Sequence, residues 1–114
     1  MRHAKKRKIG KGMDQRRKLL RSLASSLFLY EKISTSLKNA RATKSYAEKL
    51  ITRSKEATLH NRRILISKLT PIAAKKAVEV LGPKYKERKG GYTRMIKLQH
   101  HLTGKSKVLL ELVE

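Results

Sequence analysis

The sequence predicts an α+β fold: a two-layer α/β sandwich with about four helices on one face of a small three-stranded sheet, preceded by a basic N-terminal extension. Three observations predict it. Polar and apolar residues alternate over 32–38, 92–98 and 107–113, the period-two pattern of a half-buried strand. Four other stretches place apolar residues three and four apart, giving each helix one apolar stripe. A chain of 114 residues can build one core but not two, and with so few strands, helices cover only one sheet face economically.

Residues 1–12, rich in Lys and Arg, show no hydrophobic period and cannot bury a face. They are expected to be disordered when free and to order against a partner, with residues 13–114 as a single domain. Over 13–30, Leu19, Leu20, Leu23, Ala24, Leu27 and Phe28 form a helical stripe, with Arg17, Lys18, Arg21, Ser22 and Ser25 opposite and Asp14 in the first turn, where the helix dipole favours an acid. Ile33, Thr35 and Leu37 then alternate as a short strand, and Asn39 is expected to cap the next helix. That helix, 40–57, aligns Ala40, Ala47, Leu50, Ile51 and Ser54. A third, 59–69, turns Ile64, Leu65 and Leu69 inward and Arg62 and Arg63 outward.

Thr70-Pro71 opens a fourth helix with a capping hydroxyl and a proline at the first helical position. Gly82-Pro83 is expected to close it, Gly82 in the left-handed conformation and Pro83 barring continuation. A basic loop over 84–89 leads to Gly90-Gly91 and the run in which Tyr92, Arg94, Ile96 and Leu98 alternate with Thr93, Met95 and Lys97. With the run at 107–113 it makes an antiparallel hairpin. The uncovered sheet face, with Arg94 and Lys97 available, is expected to meet a partner.

Charge says what kind of partner. Thirty Lys and Arg stand against eight Asp and Glu, a net +22, and the pI is near 10.9. Self-repulsion on that scale destabilises a compact monomer unless a polyanion neutralises it, and nucleic acid is the commonest one. The cations run through the body as well as the extension: residues 38–68 hold nine against two acids, and 84–107 hold eight against one. Charge therefore nominates Lys5, Lys6, Arg7, Lys8 and Lys11 in the extension as nucleic-acid contacts. In the body it nominates Arg21, Lys38, Arg41, Lys84 and Lys89.

Other classes are disfavoured. The longest uncharged run, 22–30, is half the ~18 apolar residues a spanning helix needs, and no apolar segment follows a short basic start as in a secretory signal. The absence of Cys removes disulfides and thiolate metal sites and suits a reducing cytoplasm. His100 and His101 are adjacent and point opposite ways on an extended segment, a poor chelate. No paired-carboxylate spacing or His pair suggests catalysis, and no metal or other cofactor is expected. Gly10-Lys11-Gly12 lacks the preceding strand of a phosphate-cradling loop. Tyr92 could stack on a base or pack in the core; the residues alone leave both open.

Certain blocks recur in a familiar order. Met1-Arg2-His3 precedes the basic tail and first helix, and Ile33-Ser34-Thr35-Ser36-Leu37-Lys38-Asn39-Ala40 leads to Leu50-Ile51-Thr52. Then come Asn61-Arg62-Arg63, Leu81-Gly82-Pro83-Lys84-Tyr85, Arg88-Lys89-Gly90-Gly91-Tyr92-Thr93-Arg94 and the ending Glu111-Leu112-Val113. The whole chain resembles the bacterial large-subunit ribosomal protein L17 family. The resemblance implies a structural, non-enzymatic component of the cytoplasmic ribosome that supports subunit assembly. It would bind large-subunit ribosomal RNA near the polypeptide exit-tunnel side, among neighbouring ribosomal proteins. Carried to matching positions, it implies RNA contacts from Arg2, His3, Arg16, Arg17, Arg62, Arg63, Arg88, Tyr92 and Arg94. Arg41-Ala42-Thr43-Lys44 departs from the family pattern by lacking its usual acid, and the loop before the last strand is shorter than usual.

Overall fold

The computed structural model describes residues 12–98 and 107–114; the expectations for the rest of the extension and for the loop at 99–106 lie outside the described residues. Helix α1 (Gly12–Tyr30) is followed by strand β1 (Lys32–Ser36), then helices α2 (Leu37–Ser54) and α3 (Leu59–Lys68). Helix α4 (Pro71–Lys76) runs through a π-helical stretch, Ala77–Leu81, into a last turn, α5 (Gly82–Lys84). Strands β2 (Thr93–Lys97) and β3 (Lys107–Leu112) complete the chain. The strands form one antiparallel sheet in the order β1-β3-β2. Helices α1 and α2 lie against the strands, and α3, α4 and the π-helical stretch pack on α1 and α2. The α+β sandwich holds.

The register assigns the two sheet faces. Ile33 pairs with Leu110 and Thr35 with Val108, while Thr93 pairs with Leu112 and Met95 with Leu110. Directly opposed residues share a face, so these make the core side, where Val108, Leu110 and Leu112 are buried. The other side carries Lys32, Glu111 and Arg94 in one row and Ser34, Leu109 and Ile96 in the next. Lys97 pairs with Val108 and so takes the opposite parity from Arg94. Only Arg94 belongs to the uncovered face, correcting the expectation that both do.

Helix ends follow local chemistry more than the period did. Ser36, not Asn39, caps α2: its backbone is extended and its Oγ accepts from the Asn39 N–H at 3.2 Å, which places Asn39 inside the first turn. The alternation through Leu37 masked this boundary, because Leu37 is half-buried as a helix residue too. Thr58 caps α3 by accepting from Asn61, and Thr70 caps α4 by accepting from Ala73 ahead of Pro71. The Thr70 N–H donates to Ser25 Oγ at 3.0 Å. Ser25 is therefore buried, where the sequence placed it on the outer face of α1.

Gly82 also departs from expectation. Its φ is −56°, right-handed rather than left-handed, and the helix continues through Pro83. Proline has no N–H to give to the carbonyl four residues back. The chain meets that loss with a wider π turn, closed by the Gly82 N–H donating to the Ala77 carbonyl. Glycine is required here by contact: a Cβ at Gly82 would lie 2.5 Å from the Ser54 carbonyl oxygen at the end of α2. Replacing Gly82 by Ala is expected to lower stability by about 1–2 kcal/mol, overpacking outweighing the gain in helix propensity. Thermal unfolding checks this, and an unchanged or higher melting temperature would show slack at the contact.

Candidate nucleic-acid interface

The basic loop after α5 is held from both sides by α2. Lys55 at the C-terminus of α2 donates through Nζ to the Arg88 carbonyl and, at 2.8 Å, to the Tyr92 hydroxyl. The Glu48 carboxylate accepts from the Thr93 N–H at 3.2 Å and the Thr93 hydroxyl at 3.0 Å, fixing the start of β2. Gly91 turns the chain with φ +64°, so half of the glycine pair serves the sharp turn the sequence suggested. Arg88 folds back on that turn, its Nε donating to the carbonyls of Gly90 and Gly91, each at 3.2 Å. Its side chain remains exposed. Arg88 both shapes the loop and presents charge from it.

Tyr92 does not present its ring. It is 1% exposed and packs against Tyr85 with ring centroids 5.2 Å apart. A buried ring cannot stack on a base, so of the two readings the sequence leaves open the structure shows core packing, against the RNA contact that the resemblance implies for this ring. Burial pushes the Tyr92 hydroxyl up, but hydrogen bonds to Lys55 and Thr52 and the Lys55 charge bring it below its ordinary value. Tyr85 is raised instead, by burial against the opposing Lys84 charge; its hydroxyl donates to the Val113 carbonyl. Lys84 Nζ lies 5.2 Å from the Tyr85 ring centroid, within cation–π range.

The other expected contacts divide by what already occupies them. Arg94 pairs with Glu111 across the strands, so an internal acid already answers its charge. Arg21 donates to the Leu69 carbonyl at 3.1 Å, tying α1 to the end of α3, and half-buried Arg16 is nearby in sequence on α1. Arg17 is exposed and reaches only Met13 Sδ at 3.3 Å. Lys38 and Arg41 on α2, Arg62 and Arg63 on α3, Lys84 at the end of α5 and Lys89 in the loop are exposed. None of these six has an ion-pair partner among the described residues, whose ion pairs are Lys76–Glu31 and Arg94–Glu111. Arg2, His3, Lys5, Lys6, Arg7, Lys8 and Lys11 lie outside the described residues.

Among known families, the model described as ribosomal protein L17 matches residues 19–113. The chain belongs to that family. It is 47% identical over 92 residues to the large ribosomal subunit protein bL17 of Endomicrobium trichonymphae, covering 80% of this chain and 79% of that one. With the protein of the same name from Clostridium acetobutylicum it shares 44% over 109 residues, 94% and 96% of the two chains. With that from Sulfurihydrogenibium sp. (strain YO3AOP1) it shares 42% over 118 residues, 100% and 98% of the two.

Sequence reasoning missed one feature that this L17 family member builds from three helices. A cleft of about 820 Å³ opens between α1, α2 and α3, with Tyr46 as a wall and Lys49, Arg53 and Lys68 at its lining. Tyr46, Lys49 and Arg53 stand three and four apart, a face that could have been read from α2. Lys68, from the end of α3, joins them only in the folded chain.

The Tyr92 hydroxyl supplies a prediction. Tyr92→Phe keeps the buried ring but removes the partner of Lys55, and is expected to cost about 1 kcal/mol of stability. An unchanged denaturant midpoint would mean that the Lys55 bond does not hold the loop.

Proposed function

We propose that the chain is a structural constituent of the large ribosomal subunit in the cytoplasm, binding large-subunit ribosomal RNA through its basic surface and supporting assembly. It carries no catalytic activity and takes no cofactor. One observation supports this most: exposed cations on α2, α3 and the loop after α5 have no acidic partner among the described residues, in a family whose relatives are named for the large subunit. Unpaired surface cations at a net +22 are a standing cost that phosphate contact converts into binding.

The binding set comprises Arg62 and Arg63, Lys38 and Arg41, Lys84 at the end of α5, the loop cations Arg88 and Lys89, and Arg16 and Arg17 on α1. Arg2, His3, Lys5, Lys6, Arg7, Lys8 and Lys11 of the extension join them. Arg21 and Arg94 take secondary parts because each already has an internal partner. Each neutralised phosphate releases counterions, so affinity for free RNA falls by roughly 0.7–0.9 log units per log unit of salt per contact. Neighbouring proteins of the subunit complete the surroundings.

Co-sedimentation of untagged chain with large subunits through a high-salt gradient tests the placement. Retention there is expected, and recovery as free protein or with the chromosome would contradict it. Deleting residues 2–11 is expected to leave the melting temperature nearly unchanged while lowering incorporation several-fold. A large fall in melting temperature would make those residues part of the stabilising core.

A further inference from the structure

The cleft between α1, α2 and α3 has a lining of mixed chemistry. Leu20 and Leu50 give it an apolar floor, Tyr46 an aromatic wall, and Lys49, Arg53 and Lys68 a basic rim. The wall is fixed: the Tyr46 hydroxyl donates to the Lys68 carbonyl at 2.7 Å. Burial raises the phenol above its ordinary value, against the opposing charge of Arg21, so that donor keeps its proton at neutral pH. Part of the rim is fixed too, since Arg53 donates to Asn61 Oδ1 at 3.1 Å while the Asn61 amide donates to the Glu56 carbonyl at 2.8 Å. Glu56 is the one acid lining the cleft.

Resting on the RNA-binding reading above, we infer that this cleft receives a single unpaired nucleotide of the bound RNA. Its base would lie against Tyr46 and the leucine floor, with its phosphates at Lys49, Arg53 and Lys68. An aromatic face beside cations is how proteins hold unstacked bases, the ring taking the base and the cations the backbone. The cleft opens to solvent, and its volume lies within the roughly 300–1,000 Å³ of sites that take one small ligand, room for a nucleotide. An apolar side chain of a neighbouring protein would leave three rim cations against one acid uncompensated.

The test measures affinity of the full chain for a transcript of large-subunit ribosomal RNA across a salt series, together with ultraviolet cross-linking of the complex. Tyr46→Ala is expected to weaken binding about tenfold or more at every salt concentration while leaving the salt slope unchanged, because stacking is not electrostatic. Tyr46→Phe should stay within about threefold of the unaltered chain, and the cross-linked peptide should contain Tyr46 joined to an unpaired nucleotide. Lys49→Ala with Arg53→Ala is the second variant, sparing the wall, and should lower both affinity and slope. Unchanged affinity in Tyr46→Ala and in that double variant, with a steep slope retained, overturns the cleft and leaves RNA binding standing. A cross-link from the Tyr46 peptide to a protein within intact subunits also overturns it. If the unaltered chain fails to bind the transcript, the RNA-binding reading falls and the inference with it.

Discussion

Everything in this molecule leans on α2. It packs against α1, α3, the π-helical stretch, α5 and all three strands, and it does so with small buried residues: Ala40, Thr43, Ala47 and Ser54, with Leu50 and Ile51 among them. Small side chains let neighbouring backbones come close, and Gly82 leaves no room for a Cβ against the Ser54 carbonyl. A chain with one Phe, no Trp and 4% aromatics cannot fill a wide core with large rings. It gains cohesion by packing small residues around one helix.

The same helix organises the polar side. Its C-terminal turn sends Lys55 to the loop of Arg88 and Tyr92, Glu48 anchors β2, and Arg53 reaches α3 through Asn61. Elsewhere, cations cap helix C-termini: Arg21 on the Leu69 carbonyl, and Lys76, which also pairs with Glu31, on the Leu29 carbonyl. Helix C-terminal carbonyls carry partial negative charge, so a protein short of acids uses its own backbone as a counter-charge. That accounts for a few of the thirty Lys and Arg. Phosphate is the remaining counter-charge the proposed function supplies.

Much of the fold was legible because burial imposes period on sequence. The stripe from Leu19 to Phe28, the alternation through Met95, and the Thr70-Pro71 helix start each have one structural meaning, and the structure keeps it. The departures have two causes. Tertiary contact decides Gly82 and Ser25, through the Ser54 carbonyl and the Thr70 N–H, whereas Asn39 yields to a local competitor, the Ser36 hydroxyl. Tyr92 was open in the sequence because a tyrosine before a strand fits stacking or packing equally well; only the position of Tyr85 decides. The site was harder to read than the fold. Charge count nominates cations without saying which are engaged, so Arg21, Arg94 and exposed Arg62 looked alike.

On the proposed function, exposed cations of a small scaffold meet ribosomal RNA phosphates in the large subunit. A resolved large subunit containing this chain measures that most directly. Phosphate oxygens are expected within about 3 Å of the guanidinium groups of Arg62, Arg63 and Arg88, the distance of a charge-assisted hydrogen bond. Those arginines facing bulk solvent, with RNA approaching another side of the fold, would contradict it.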